Sequence, residues 1–357
     1  MGYSNDGDHS ASDAAPDGLG DRKADHIRIC LEEPVEGRGV TNGFGEYRFK
    51  HAALPELDLA DVQLETAFMG HRLGAPLLVS SMTGGSPETG RINRTLAAAA
   101  EAQGWAIGLG SVRSALEHDR LADTFQVRGE APTALLFANL GAVQLNYGMG
   151  VEYCRRAVEL AEADMLVLHL NALQEAFQPE GNTNFGGLLR RIEDVCRKLE
   201  VPVGLKEVGW GIDGETARRL KNAGAAFIDV AGAGGTSWSQ VEKYRNKDPN
   251  RREAAEAFAD WGIPTAECVR ETRAALDGSY PLIASGGLRS GVDAAKAIAL
   301  GADLAGFGRM LLQDAVASVE LLSARLARVE LELRTAMFAI GAGSIEVLKG
   351  TERLVRR

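Results

Sequence analysis

From residue 76 onward, short β-branched or apolar runs alternate with longer stretches whose apolar residues return at helical spacing. The runs at 77–81, 106–109, 134–139, 165–169, 203–206, 227–230, 282–285 and 304–307 predict eight strands. Amphipathic stretches at 92–103, 153–163, 188–199, 215–223, 266–276 and 292–300 predict helices between them, several stopping at a glycine. Repeated strand–helix units of this kind predict a parallel sheet closed into a (β/α)8 TIM barrel over 75–350, with an open doubly wound sheet as the rival arrangement. Residues 1–20 are rich in Ser, Asp, Gly and Ala and predict a disordered leader. Residues 21–74 form an N-terminal extension placed to reach the barrel mouth. The stretch 314–340 predicts one or two closing helices, and the long connection 231–264 predicts a functional loop or lid.

The predicted strands end in polar residues. The first runs into Ser80-Ser81-Met82-Thr83-Gly84-Gly85, the second into Gly110-Ser111-Val112-Arg113 and the third into Asn139. The fourth gives His169-Leu170-Asn171 and then Gln174-Glu175, and the fifth gives Lys206-Glu207. The sixth runs into glycine backbone before Thr236, the seventh into Ser285-Gly286-Gly287 and the eighth into Gly306-Phe307-Gly308-Arg309. In such a barrel the reacting groups come from this end, and glycines after strands seven and eight let backbone N–H groups cradle a phosphate. Lys206 pointing inward needs an anionic partner: a ligand that turns negative, as a flavin does on reduction, or simply a neighbouring carboxylate. Arg22, Lys23, His26, Arg113, His169 and Asn171 predict a second anion site. Glu175 beside them is a candidate Mg²⁺ ligand, or a carboxylate that merely favours its helix dipole.

Composition narrows the partners. With 39 Lys and Arg against 49 Asp and Glu, the formal charge is −10, so no basic field exists for nucleic acid, and anions must be held by local clusters. Cys30, Cys154, Cys196 and Cys268 show neither CxxC nor Cys/His spacing, which predicts a reduced, cytoplasmic protein without structural zinc. No apolar run reaches the ~18 residues of a membrane span, so no membrane partner is expected.

The stretches Ser81–Gly85, His169–Glu175, Lys206–Gly211, Gly232–Trp238 and Ser285–Arg289 together resemble type 2 isopentenyl diphosphate isomerase, with a likeness running from Arg22-Lys23 to about Leu348. The resemblance implies an FMN- and Mg²⁺-binding homo-oligomer, a tetramer or octamer, that interconverts isopentenyl and dimethylallyl diphosphate. NAD(P)H would serve as reductant, and reduced FMN as the acid–base group. It implies FMN contacts at Met82, Thr83, Gly84, Ser111, Asn139, Lys206, Thr236, Gly286, Gly287, Gly308 and Arg309. Arg22, Lys23, His26, Arg113 and Gln174 are implied for substrate binding, Gln174, His169 and Asn171 for catalysis, and Glu175 for the metal. Val112 departs from the family's usual Gln, and Gly308-Arg309-Met310 from its usual Ala-Arg-Pro. The alternative is an FMN-dependent 2-hydroxy-acid oxidase on the same scaffold. That chemistry needs a His base after the sixth strand, and no His follows it in this chain.

Overall fold

A computed structural model describes residues 18–357, with side chains from Arg22 onward. The leader expected over 1–20 lies outside the described residues, apart from the first positions of a helix at Gly18–Glu32. Eight parallel strands close into a barrel: Leu77–Val79, Ala106–Gly108, Leu136–Gly141, Met165–Leu170, Val203–Glu207, Phe227–Asp229, Leu282–Ser285 and Leu304–Phe307. The ring shuts where the eighth strand pairs with the first, Ala305 opposite Leu77 and Phe307 opposite Val79. The strands read as near-continuous apolar runs because both faces are buried. The inner face meets the barrel core, while the outer face meets helices such as Pro87–Gln103 and Gly291–Ala299, whose Ser86 and Ser290 N-caps fix where they start.

The lower half of the barrel is filled by Leu78, Ala106, Phe137, Met165, Val167, Phe227, Ile283 and Leu304. A hairpin from the N-terminal extension, Thr66–Phe68 with His71–Leu73, plugs this end. Its Phe68 ring lies edge-on to Phe137 at 6.4 Å and to Phe227 at 5.6 Å. Burying a Phe or Leu in such a cluster contributes about 1.5–3 kcal/mol, so Phe68 and Leu73 hold the plug. The extension therefore divides: its first helix serves the mouth and its hairpin the floor. Two further helices, Leu312–Ala317 and Val319–Phe338, close the outside, the longer burying one stripe of Leu322, Leu326, Val329, Leu333 and Met337. Among the described residues no helix is long and apolar enough to cross a membrane.

Candidate active site

The polar strand ends open into one cavity of about 590 Å³, roofed by the Gly18–Glu32 helix. One side is built from backbone. Gly286 and Gly287 have φ of 105° and 71°, and a Cβ on either would come within 2.1 Å of the Gly232 carbonyl oxygen or 2.4 Å of that of Gly234. Only glycine fits there, and the bare backbone of Gly235, Gly286 and Gly287 lines the cavity. Beneath it, Lys206 Nζ donates to the Glu207 carbonyl oxygen at 2.7 Å and stands 3.9 Å from Asp229. Asp229 is itself buried and accepts from Ser285 Oγ at 2.6 Å, so the sixth strand also ends in a polar side chain before its glycines. Lys206 thus has the carboxylate neighbour that one sequence reading expected, though at 3.9 Å and without a short bond. Glu207 Oε2 accepts the N–H groups of Val208, Gly209, Trp210 and Gly211 at 2.6–3.2 Å, which fixes the loop after the fifth strand.

The opposite side is built from side chains. The first helix presents Arg22, Lys23 and His26, and a fully buried carboxylate, Glu242, organises them. It accepts from His26 Nε2 at 3.0 Å, Gln174 Nε2 at 3.2 Å and Arg245 Nη1 at 2.6 Å. Burial opposes its charge, but His26, Arg245 and Gln174 outweigh that and hold the carboxyl down at about 2. With Glu242 ionised, His26 must donate from Nε2. Lys23 is pushed down to about 7 by burial and then by neighbouring Arg22. Burial, reinforced by Lys23, Lys206 and Arg22, drives His169 to about 3. Its ring is therefore neutral, Nδ1–H donates to Asn139 Oδ1 at 2.7 Å, and Nε2 remains an acceptor. Asn171 Nδ2 donates to Glu175 Oε1 at 2.9 Å and to Gln174 Oε1 at 3.3 Å, while Asn182 N–H donates to Glu175 Oε2 at 2.6 Å. Asn171 Oδ1, Gln144 Oε1 and Ser80 Oγ are buried without a hydrogen-bond partner in the protein, a state that costs about 1–3 kcal/mol per group unless a ligand relieves it.

A model of the FMN-dependent dehydrogenase family matches residues 160–356. An isopentenyl-diphosphate delta-isomerase from Oceanobacillus iheyensis is 54% identical over 94% of this chain and 96% of its own length. One from Nostoc sp. is 52% identical over 94% and 95%. The chain belongs to the type 2, FMN-dependent isopentenyl-diphosphate isomerase family. Among solved structures, a mandelate oxidase variant superimposes with a TM-score of 0.63 at 22% identity, covering 94% of this chain and 97% of that one. That likeness is one of fold, and the His base required of a hydroxy-acid oxidase is missing after the sixth strand.

Every family-implied site residue lines the cavity except Gly84. Gly84 faces away: a Cβ there would lie 2.0 Å from the Phe125 ring, so its missing side chain makes room for packing. Arg309 lines the cavity with its guanidinium already engaged, Nε donating to the Cys30 carbonyl oxygen at 2.7 Å and Nη1 to Glu36 at 2.9 Å. Val112 is fully buried and leaves the cavity lining to its neighbours Ser111 and Arg113. Sequence reading missed Glu242, Arg245, Gln144 and Asn182. Of these, Glu242 shows its role only in the fold. It lies one turn after Trp238 on the Trp238–Arg245 helix, and His26 contacts both, bonding the carboxylate and meeting the indole edge-on at 5.0 Å.

Proposed function

We propose that the protein interconverts isopentenyl diphosphate and dimethylallyl diphosphate, with reduced FMN as acid–base group and Mg²⁺ on the diphosphate. The observation that carries this is the cavity's two unlike ends: a glycine backbone cradle over Lys206, and a cluster of Arg22, Lys23 and His26 beside Glu175. One cavity thus offers two anchorages for anions, one suited to a cofactor phosphate and one to a substrate diphosphate. The residues present fit FMN. The cradle admits no side chain at Gly286 or Gly287, and Ser80 Oγ lies buried and unpartnered among the lining groups. Thr83, Ser111, Asn139, Lys206, Thr236 and the backbone at Gly286, Gly287 and Gly308 would hold it. Magnesium also fits: Glu175 with the unpartnered amide oxygens of Asn171 and Gln144 is an all-oxygen donor set, and Mg²⁺ takes few carboxylates when substrate phosphates complete its shell.

Bound in its reduced state, FMN would supply the proton to one alkene carbon and receive one from the allylic carbon. The chain's own residues do the rest. Arg22, Lys23 and Arg113 neutralise the diphosphate. Gln174, held at one end by Glu242 and at the other by Asn171, orients the reacting carbons. His26 and Trp238 wall the pocket from water. Neutral His169 contributes an acceptor at Nε2 and a fixed orientation, since a ring driven to about 3 carries only the Nδ1 proton that it shares with Asn139. The test is an anaerobic assay with isopentenyl diphosphate, Mg²⁺ and either reduced or oxidised FMN. Conversion only with reduced FMN is expected, and equal conversion with both ends the acid–base reading.

A further inference from the structure

The helix that carries Arg22, Lys23 and His26 ends at Glu32 because Pro34 follows. A fourth-residue N–H would normally bond the Cys30 carbonyl, but position 34 is proline and has none. Arg309, from the loop after the eighth strand, supplies the donor at 2.7 Å. The same guanidinium pairs with Glu36 Oε1 at 2.9 Å, and Arg289, from the loop after the seventh strand, pairs with Glu36 Oε2 at 2.9 Å. Glu36 also bridges Thr236 in antiparallel register, flanked by bonds from Gly37 N–H to Gly235 O and from Ser237 N–H to Val35 O. Farther along, Asn42 Nδ2 donates to the Gly287 carbonyl at 2.7 Å. Residues 35–42 thus cross the loops of strands six, seven and eight, the loops that form the glycine cradle, and continue directly from the substrate-side helix.

We infer that Glu36 is a positioning residue that couples the two ends of the site: by tying Arg289 and Arg309 to the strap that follows the first helix, it makes cofactor and diphosphate bind cooperatively. This rests on the proposed FMN and diphosphate sites. Half-exposed ion pairs are individually weak, so the coupling is modest. A network of two pairs and two flanking backbone bonds is suited to an effect of about fivefold, equivalent to about 1 kcal/mol. Linkage makes it reciprocal: a diphosphate that seats the helix tightens the cradle by the same factor as the cradle tightens the helix.

The experiment titrates the flavin-free full chain with FMN by flavin fluorescence, with and without inorganic pyrophosphate and Mg²⁺. In the unaltered protein, pyrophosphate is expected to tighten FMN binding about fivefold. In Glu36→Gln the tightening falls below about twofold, and KM for isopentenyl diphosphate rises about fivefold while kcat changes less than twofold. Arg289→Gln, which leaves the Glu36–Arg309 pair, gives an intermediate coupling and carries the test alone if Glu36→Gln does not fold. Undiminished coupling in either variant, no coupling in the unaltered protein, or no FMN binding at all overturns the inference. The titration needs no turnover. Coupled binding without isomerisation would therefore refute the proposed reaction and leave the inference standing.

Discussion

The cavity's two ends are made of different materials. The cradle end consists of backbone amides whose positions follow from glycines that tolerate no Cβ, whereas the helix end consists of long side chains held in place by one another around Glu242. The first is set by steric exclusion. The second is set by charge, and is therefore sensitive to protons, salt and metal. On the proposed reading, the same ligand chemistry, an anion, is met by glycine backbone at the cofactor's end and by titratable side chains at the substrate's end.

Replacing a cradle glycine should break the contrast most severely. In Gly287→Ala the new Cβ meets the Gly234 carbonyl at 2.4 Å and the residue must keep a φ of 71°. FMN affinity should fall at least about a hundredfold, about 2.7 kcal/mol, and the purified protein should be colourless; a yellow protein with ordinary flavin content would show that the cradle is not the cofactor's anchor. On the other side, Glu175→Gln removes the lone carboxylate among amide donors. Isomerase activity should drop about a hundredfold and recover only in part as Mg²⁺ is raised, while flavin content stays normal. An unaltered Mg²⁺ dependence would remove Glu175 from the metal. The smallest effect sharpens the distinction. Lys23, lowered to about 7 by burial and Arg22, loses its proton as pH rises through that value, and the diphosphate anion favours the protonated form. KM for the diphosphate should therefore rise severalfold between about pH 6 and 8.5, with proton uptake on binding measurable by calorimetry in buffers of different ionisation heat. At the cradle end the group that titrates in this range is Glu207, raised to about 7 by burial, so FMN affinity and KM report different ionisations.

The barrel was legible because its signal is repeated. Each strand run recovered from the sequence overlaps its observed strand, and the ends differ by a few residues, as at 134–139 against Leu136–Gly141. Site positions were legible where they follow a strand directly, because the fold places every such position at the same mouth. What was lost lies off that rhythm. Glu242 sits in a charged helical stretch within the long connection after the sixth strand, where carboxylates ordinarily face water, and only its distant partner His26 makes it a buried hub. The floor hairpin was hidden by its turn: Met69 and Gly70 both take positive φ, and methionine is not a residue that announces such a turn. Asp229 was passed over because a single carboxylate at a strand end, read without Lys206 and Ser285 beside it, looks no different from a loop residue.

The short strand Tyr47–Phe49 pairs with Leu354–Arg356, and Glu46 receives Arg356 across a separation of 310 residues. Contacts of such range form late, because almost the whole chain must be made and brought into place before they can exist. The segment that crosses the cradle lies just upstream of this stitch. The far side of that segment is therefore fastened by a contact that cannot exist until residues 354–356 are in place.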